Sequence, residues 1–170
     1  MSIDKIQSES INLADNFDFT GTVTGAGSDN KPYFAAVLNN GLQSVSSNTL
    51  TKCTFNSVLF DTASGWDSSN NRWTVPSGEG GKYFISGILE AYSGSNDISK
   101  LEVQLKVNGS NIHMMQQETG SQRHIAYAIP VIKSLSVGDY VELFGKIVGS
   151  SPNFRGDVNT CSLNIFKIAE

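Results

Sequence analysis

Side chains that carry out acid–base or covalent chemistry are scarce here, with 2 histidines and 2 cysteines in 170 residues. His113 and His124 both fall in alternating, strand-like segments, and no Gly-x-Ser-x-Gly elbow exists to give either a nucleophilic partner. Cys53 and Cys161 match neither zinc-ligand spacing nor a Cys-x-x-Cys pair. Each lies among β-forming residues ("TKCTF", "NTCSLNIF") and reads as a small buried hydrophobe; a disulfide between them requires neighbouring strands. Asp15, Asp18, Asp61, Asp67 and Glu79 sit in turns or between glycines, and no two of them form a pair suited to glycoside hydrolysis. The "GAG" at 25–27 lacks the third glycine and the following helix of a dinucleotide loop. No EF-hand pattern occurs, which leaves a structural calcium held by loop carboxylates and carbonyls as a minor reading. The expectation is a non-enzyme without a cofactor.

Charge and long apolar runs are also sparse. Lys and Arg total 12 against 16 Asp and Glu, a formal net charge of −4. The charges are scattered, so no basic stripe can neutralise a phosphate backbone, and nucleic acid is excluded as a partner. No run approaches the roughly 20 apolar residues that span a bilayer, so membrane insertion is not expected. The start, "MSIDKIQSESINLADNFDF", has no charged n-region followed by an apolar core, and the expectation is synthesis in a cytoplasm without a signal peptide. "NGS" at 108–110 is a formal glycosylation sequon, but turn geometry explains it without a sugar.

What the chain has in quantity is alternation. In "LEVQLKVN", Leu101, Val103, Leu105 and Val107 face one way and Glu102, Gln104, Lys106 and Asn108 the other. Asn108-Gly109 suits a type I′ turn, so 101–117 reads as a hairpin. Further strands are expected at 33–38, 50–55, 57–61, 72–75, 82–92, 123–132, 140–148 and 160–168. Between them lie the polar stretches "GLQSVSSN", "TASGWDSSNN", "PSGEGG", "YSGSND" and "VGSSPNFRG", read as loops. Many short strands with turn chemistry between them predict an all-β antiparallel jelly-roll sandwich over 33–170. Residues 1–32 are too poor in apolar residues for a core and read as an extended N-terminal arm.

Three groups of residues stand out as surface candidates. Two strands carry bulk on both faces: Tyr140 and Phe144 oppose Val141 and Leu143, while Phe166 and Ile168 oppose Leu163 and Ile165. A sandwich buries one face of each strand, so the surplus face is expected to pack against other copies of the chain. Tyr92, Phe154 and Arg155 lie in or beside polar loops and are candidates for binding a receptor, including a host surface glycan. Trp66 also lies in a loop and is read as covering a loop end or packing between subunits. In "SLSVGDYVELFG", Gly138 permits the turn and Asp139 caps it, a geometric rather than catalytic role.

From residue 33 onward the order of these signals resembles the C1q/TNF-like jelly-roll superfamily. In "FNSVLFDTASGWDSSNNRWTVPSGEGGKYFIS", Trp66-Asp67 stands where that family has Tyr-Asp, and Trp73 takes the place of a buried Phe. Pro76 and Gly81-Lys82-Tyr83 correspond to its Pro and Gly-x-Tyr. "LEVQLKVNGS", "LSVGDYVEL" and "CSLNIFKI" resemble later strands of the family. Ile85 departs from a usual Phe, and extra residues sit between Pro76 and Gly81. No Gly-X-Y repeat precedes the domain, so complement-like or hormone-like roles are not implied. The resemblance implies a homotrimer around an axis. The segment "FDFTGTVTGAG" resembles those preceding such domains in virion proteins of marine and cyanobacterial phages. That implies a virion location, with the arm, including Phe17 and Phe19, docking on other virion proteins of the capsid or tail.

Overall fold

The computed structural model describes residues 31–157 and 160–170. The proposed arm, including Phe17 and Phe19, falls almost entirely outside the described residues. The strands in chain order are β1 (Tyr33–Val37), β2 (Gly41–Ser44), β3 (Thr51–Lys52), β4 (Ser57–Asp61), β5 (Trp66–Asp67), β6 (Arg72–Thr74) and β7 (Gly81–Tyr92). They continue with β8 (Ile98–Val107), β9 (Ser110–Gln122), β10 (His124–Leu135), β11 (Tyr140–Val148), β12 (Asn153–Gly156) and β13 (Ser162–Ala169). Among the described residues no helix is long and apolar enough to cross a membrane.

The strands form two antiparallel sheets. One has 7 strands in the order β2-β12-β7-β13-β1-β4, with β10 on the other edge of β7. The other has 6, ordered β5-β6-β11-β8-β9, with β3 also on β11. The hairpin of β8 and β9 turns at Asn108 and Gly109, whose φ values of 51° and 76° are those a type I′ turn demands. Asp139 has the capping role expected of it. Its carboxylate accepts from the Ser136 backbone N–H at 2.7 Å and from Asn108 Nδ2 at 2.7 Å, while Gly138 takes φ 86°.

Inward residues of the two sheets make one core, with Trp73, Tyr83, Phe34 and Phe154 its largest fully buried side chains. Two inward positions are glycines, and both are crowded. A Cβ on Gly87 of β7 would lie 2.4 Å from Leu143 Cδ1. One on Gly145 of β11 would lie 2.8 Å from Phe154 Cε1 and 2.9 Å from Leu89 Cδ1. The missing side chains are what let bulky neighbours from the opposite sheet settle there. Cys53, just after β3, and Cys161, just before β13, meet in this core as free thiols. Contact with Cys161, and then burial, push the Cys53 thiol up.

Three strands lie where loops were expected. β2 falls within "GLQSVSSN", β5 within "TASGWDSSNN" and β12 within "VGSSPNFRG". Each is 4 residues or fewer, too short for alternation to register in sequence. Each is held by tertiary pairing: β12 lies against the end of β7, β2 rides on β12, and β5 pairs β6 through Trp66 and Trp73.

Tyr83 gives a pH-dependent signature of this core. Its hydroxyl donates to the Glu79 carbonyl, and burial first, then the Glu79 and Glu170 charges, push its pKa from 10.0 up to about 12. The folded chain holds this proton more tightly than the unfolded one. The associated stability is therefore complete below about pH 10 and is lost as pH rises toward about 12. Ultraviolet titration is expected to show Tyr83 ionising last, after Tyr127, which burial also pushes up, with alkaline unfolding beginning in the same window. Ionisation of Tyr83 together with the exposed phenols contradicts this packing.

Candidate functional site

Alternation along β7 sends Tyr83, Ile85 and Leu89 inward and leaves Phe84, Glu90 and Tyr92 on the outer face of the seven-stranded sheet. Strand register extends that face sideways. Tyr33 of β1 lies opposite Phe166 of β13, Phe166 opposite Phe84, and Phe84 opposite Ile132 of β10. The Phe84 and Phe166 rings stack with centroids 5.0 Å apart, and Tyr33 meets Phe60 of β4 edge-on at 6.0 Å. This row is open to solvent: Ile132 is 63% exposed and Phe60 57%. Phe166 and Ile168 are exposed on the same strand. A continuous apolar row across five strands exceeds the scattered apolar exposure normal for a surface.

The other end of this face is polar. Tyr92 pairs in register with His124, and Arg155 sits on the neighbouring β12. These residues, with Leu42 and Arg123, line a cleft of about 350 Å³. Glu90 lies among them, 7% exposed, and accepts from His124 Nδ1 at 2.7 Å and Arg155 Nη1 at 3.1 Å. The bond to Glu90, then its charge, push the Arg155 pKa up, and the Asp157 charge adds to this. Arg123 Nη2 donates to the Tyr92 hydroxyl at 3.2 Å, and its guanidinium lies over the Tyr92 ring at 5.6 Å. The Tyr92 and His124 rings are 5.0 Å apart. Rise along β7 places Tyr92 roughly 26 Å from Phe84, so the cleft and the apolar row are separate features of one face.

The outer face of the six-stranded sheet differs. Glu102 pairs with Lys146 at 2.7 Å, and Glu142 with Lys52. Phe144 lies between the Lys106 and Lys52 ammonium groups, 4.3 and 5.6 Å from its ring centroid, and Arg72 covers Tyr140 at 4.4 Å. Lys146, then Gln104, draw the Glu102 pKa down against the opposing pull of its burial, the largest single influence.

Several expectations are corrected by this arrangement. Tyr140, Phe144, Phe166 and Ile168 do not share a face: the first two lie under cations on one sheet, the last two in the apolar row on the other. Strand alternation identifies an outward residue but not which sheet its strand joins. Phe154 is not a receptor-loop residue. It is fully buried, because β12 pairs with β7 and directs the ring into the space above Gly145. Tyr92 and Arg155 do come together, in the cleft. Trp66 covers the end of the core, its ring stacked on Phe34 at 5.2 Å and edge-on to Phe55 at 6.3 Å. Arg123 and His124 were missed as site residues. Only the long-range register of Tyr92 with His124 marks them, and no local motif carries that signal. Among the described residues, no group of three or more His, Cys, Asp or Glu is arranged to hold a metal ion.

Phe154→Ala is expected to act on stability rather than recognition, lowering it by about 3–5 kcal/mol, as for other buried Phe truncations. Urea unfolding measures the loss. An unchanged midpoint would return Phe154 to the surface.

No protein-family model matches the chain, and no curated protein matches it. Solved structures do. The globular domain of the zebrafish complement 1qA protein superposes with a TM-score of 0.59 at 16% identity, covering 82% of this chain and 99% of that one. Murine APRIL superposes at 0.58 with 12% identity, covering 80% and 98%. With two antiparallel sheets and these neighbours, the fold is a C1q/TNF-like jelly roll.

Proposed function

We propose that the domain is a homotrimeric exterior knob of a bacteriophage virion, a capsid decoration or head fibre, docked through residues 1–32. The observation that carries the trimer is the row Tyr33–Phe166–Phe84–Ile132, flanked by Phe60. A solitary subunit leaves this row in water, and packing it between copies removes apolar surface at roughly 25 cal/mol per Å². The shared jelly-roll fold supports the same assembly. Support for the virion setting is the resemblance of "FDFTGTVTGAG" to segments of phage proteins.

A second reading, the receptor-binding tip of a tail fibre or tail appendage, is favoured by the cleft at Tyr92 and Arg155. It requires the same trimer and differs in what the outer end of the knob touches. Neither reading assigns the domain a catalytic step.

Light scattering after size exclusion is expected to give three chains per particle. Phe166→Asp, which puts a charge into the apolar row, is expected to yield monomers at micromolar concentration with the β-sheet spectrum retained. A wild-type chain that is monomeric at that concentration overturns the trimer. Deletion of residues 1–30 is expected to abolish attachment to capsids while leaving the oligomer unchanged; undiminished attachment overturns the docking role.

A further inference from the structure

The cleft lined by Leu42, Tyr92, Arg123, His124 and Arg155 has more donors than the protein itself uses. A guanidinium carries five N–H groups in a planar fork suited to a carboxylate. Arg155 engages Glu90 through Nη1, and Arg123 engages Tyr92 through Nη2. Among the described residues Arg123 makes no ion pair. Negative charge near the cleft comes from Glu90, which is 7% exposed beneath His124 and Arg155, and from Asp157, whose charge also reaches Arg155. Positive charge comes from Arg123 and Arg155, with His124 adding to it when protonated.

The cleft also has an apolar side. Leu42 is 50% exposed, and the Tyr92 ring forms part of the wall. A volume of about 350 Å³ lies at the small end of ligand sites, where a single sugar ring rather than a larger ligand is accommodated. A ligand that satisfies all of these features has one carboxylate for the guanidinium groups and a compact ring with a C–H face for Tyr92 and Leu42. We propose that this cleft binds a carboxylate-bearing sugar residue, a uronic or sialic acid, at the end of or within a surface polysaccharide. The inference rests on the cleft alone and holds for either location of the knob.

The test uses the full chain, titrated with glucuronate, N-acetylneuraminate, glucose and inorganic phosphate and followed by amide NMR. Light scattering on the same samples separates a failure of binding from a failure of assembly. At least one acidic sugar is expected to shift the Tyr92, Arg123 and His124 resonances with a dissociation constant on the order of 1 mM, while glucose and phosphate leave them in place. Arg123→Gln removes a donor without stranding a buried carboxylate and is expected to weaken binding about tenfold. Glu90→Gln relieves the competition for Arg155 and His124 and is expected to tighten it. Equal response to glucose, equal response to phosphate, no response to either acidic sugar, or an Arg123→Gln variant that binds normally would each overturn the proposal. An intact trimer in those cases leaves the assembly reading standing.

Discussion

The two sheets meet closely because glycine occupies the inward positions 87 and 145, where any side chain would collide with Leu143, Leu89 or Phe154. Close approach at these points lets the large residues of the opposing sheet interdigitate. The short strand β12 depends on the same vacancy. With Phe154 seated above Gly145, the segment aligns with the end of β7, and Arg155 is turned outward beside Glu90. The cleft is therefore a product of core packing: its position follows from where a buried ring fits, and its chemistry from the alternate residue on the same strand.

The outer faces resolve their surplus bulk in different ways. On the six-stranded sheet, Phe144 lies beneath the Lys52 and Lys106 ammonium groups and Tyr140 beneath the Arg72 guanidinium, while Lys52 also pairs with buried Glu142 and Lys146 with buried Glu102. On the seven-stranded sheet, rings stack on one another and remain open. Both sheets carry outward aromatic residues, and the difference comes from which strands stand beside them. Charged neighbours arrive from β3, β6 and β8 on one sheet; aromatic neighbours from β1, β7 and β13 on the other.

Long strands were legible in the sequence because alternation, Asn-Gly and the Gly138-Asp139 turn are local signals. The hairpin of β8 and β9 and all of β11 lie where those signals put them. β2, β5 and β12 were not legible, since two to four residues within Ser- and Gly-rich stretches carry no period. Site residues followed the same division. Tyr92 and Arg155 stood out as an aromatic and a cation near loops, but Phe154, adjacent to Arg155, looked equally exposed until pairing with β7 fixed its direction. Asp139 was readable because its turn partner, the Ser136 N–H, lies close along the chain, although its second partner, Asn108, does not. His124 was not, because its partner Glu90 is distant along it.

In the proposed assembly the lysine-covered sheet also bears on how large an association of this chain can grow. A subunit adhesive on one flank and largely covered by paired charges on the reverse, where Met114 and Met115 of β9 stay exposed, has little surface to seed a second layer once its adhesive flanks are matched among themselves. Under the proposed assembly such a building block terminates as a small closed body rather than an open filament.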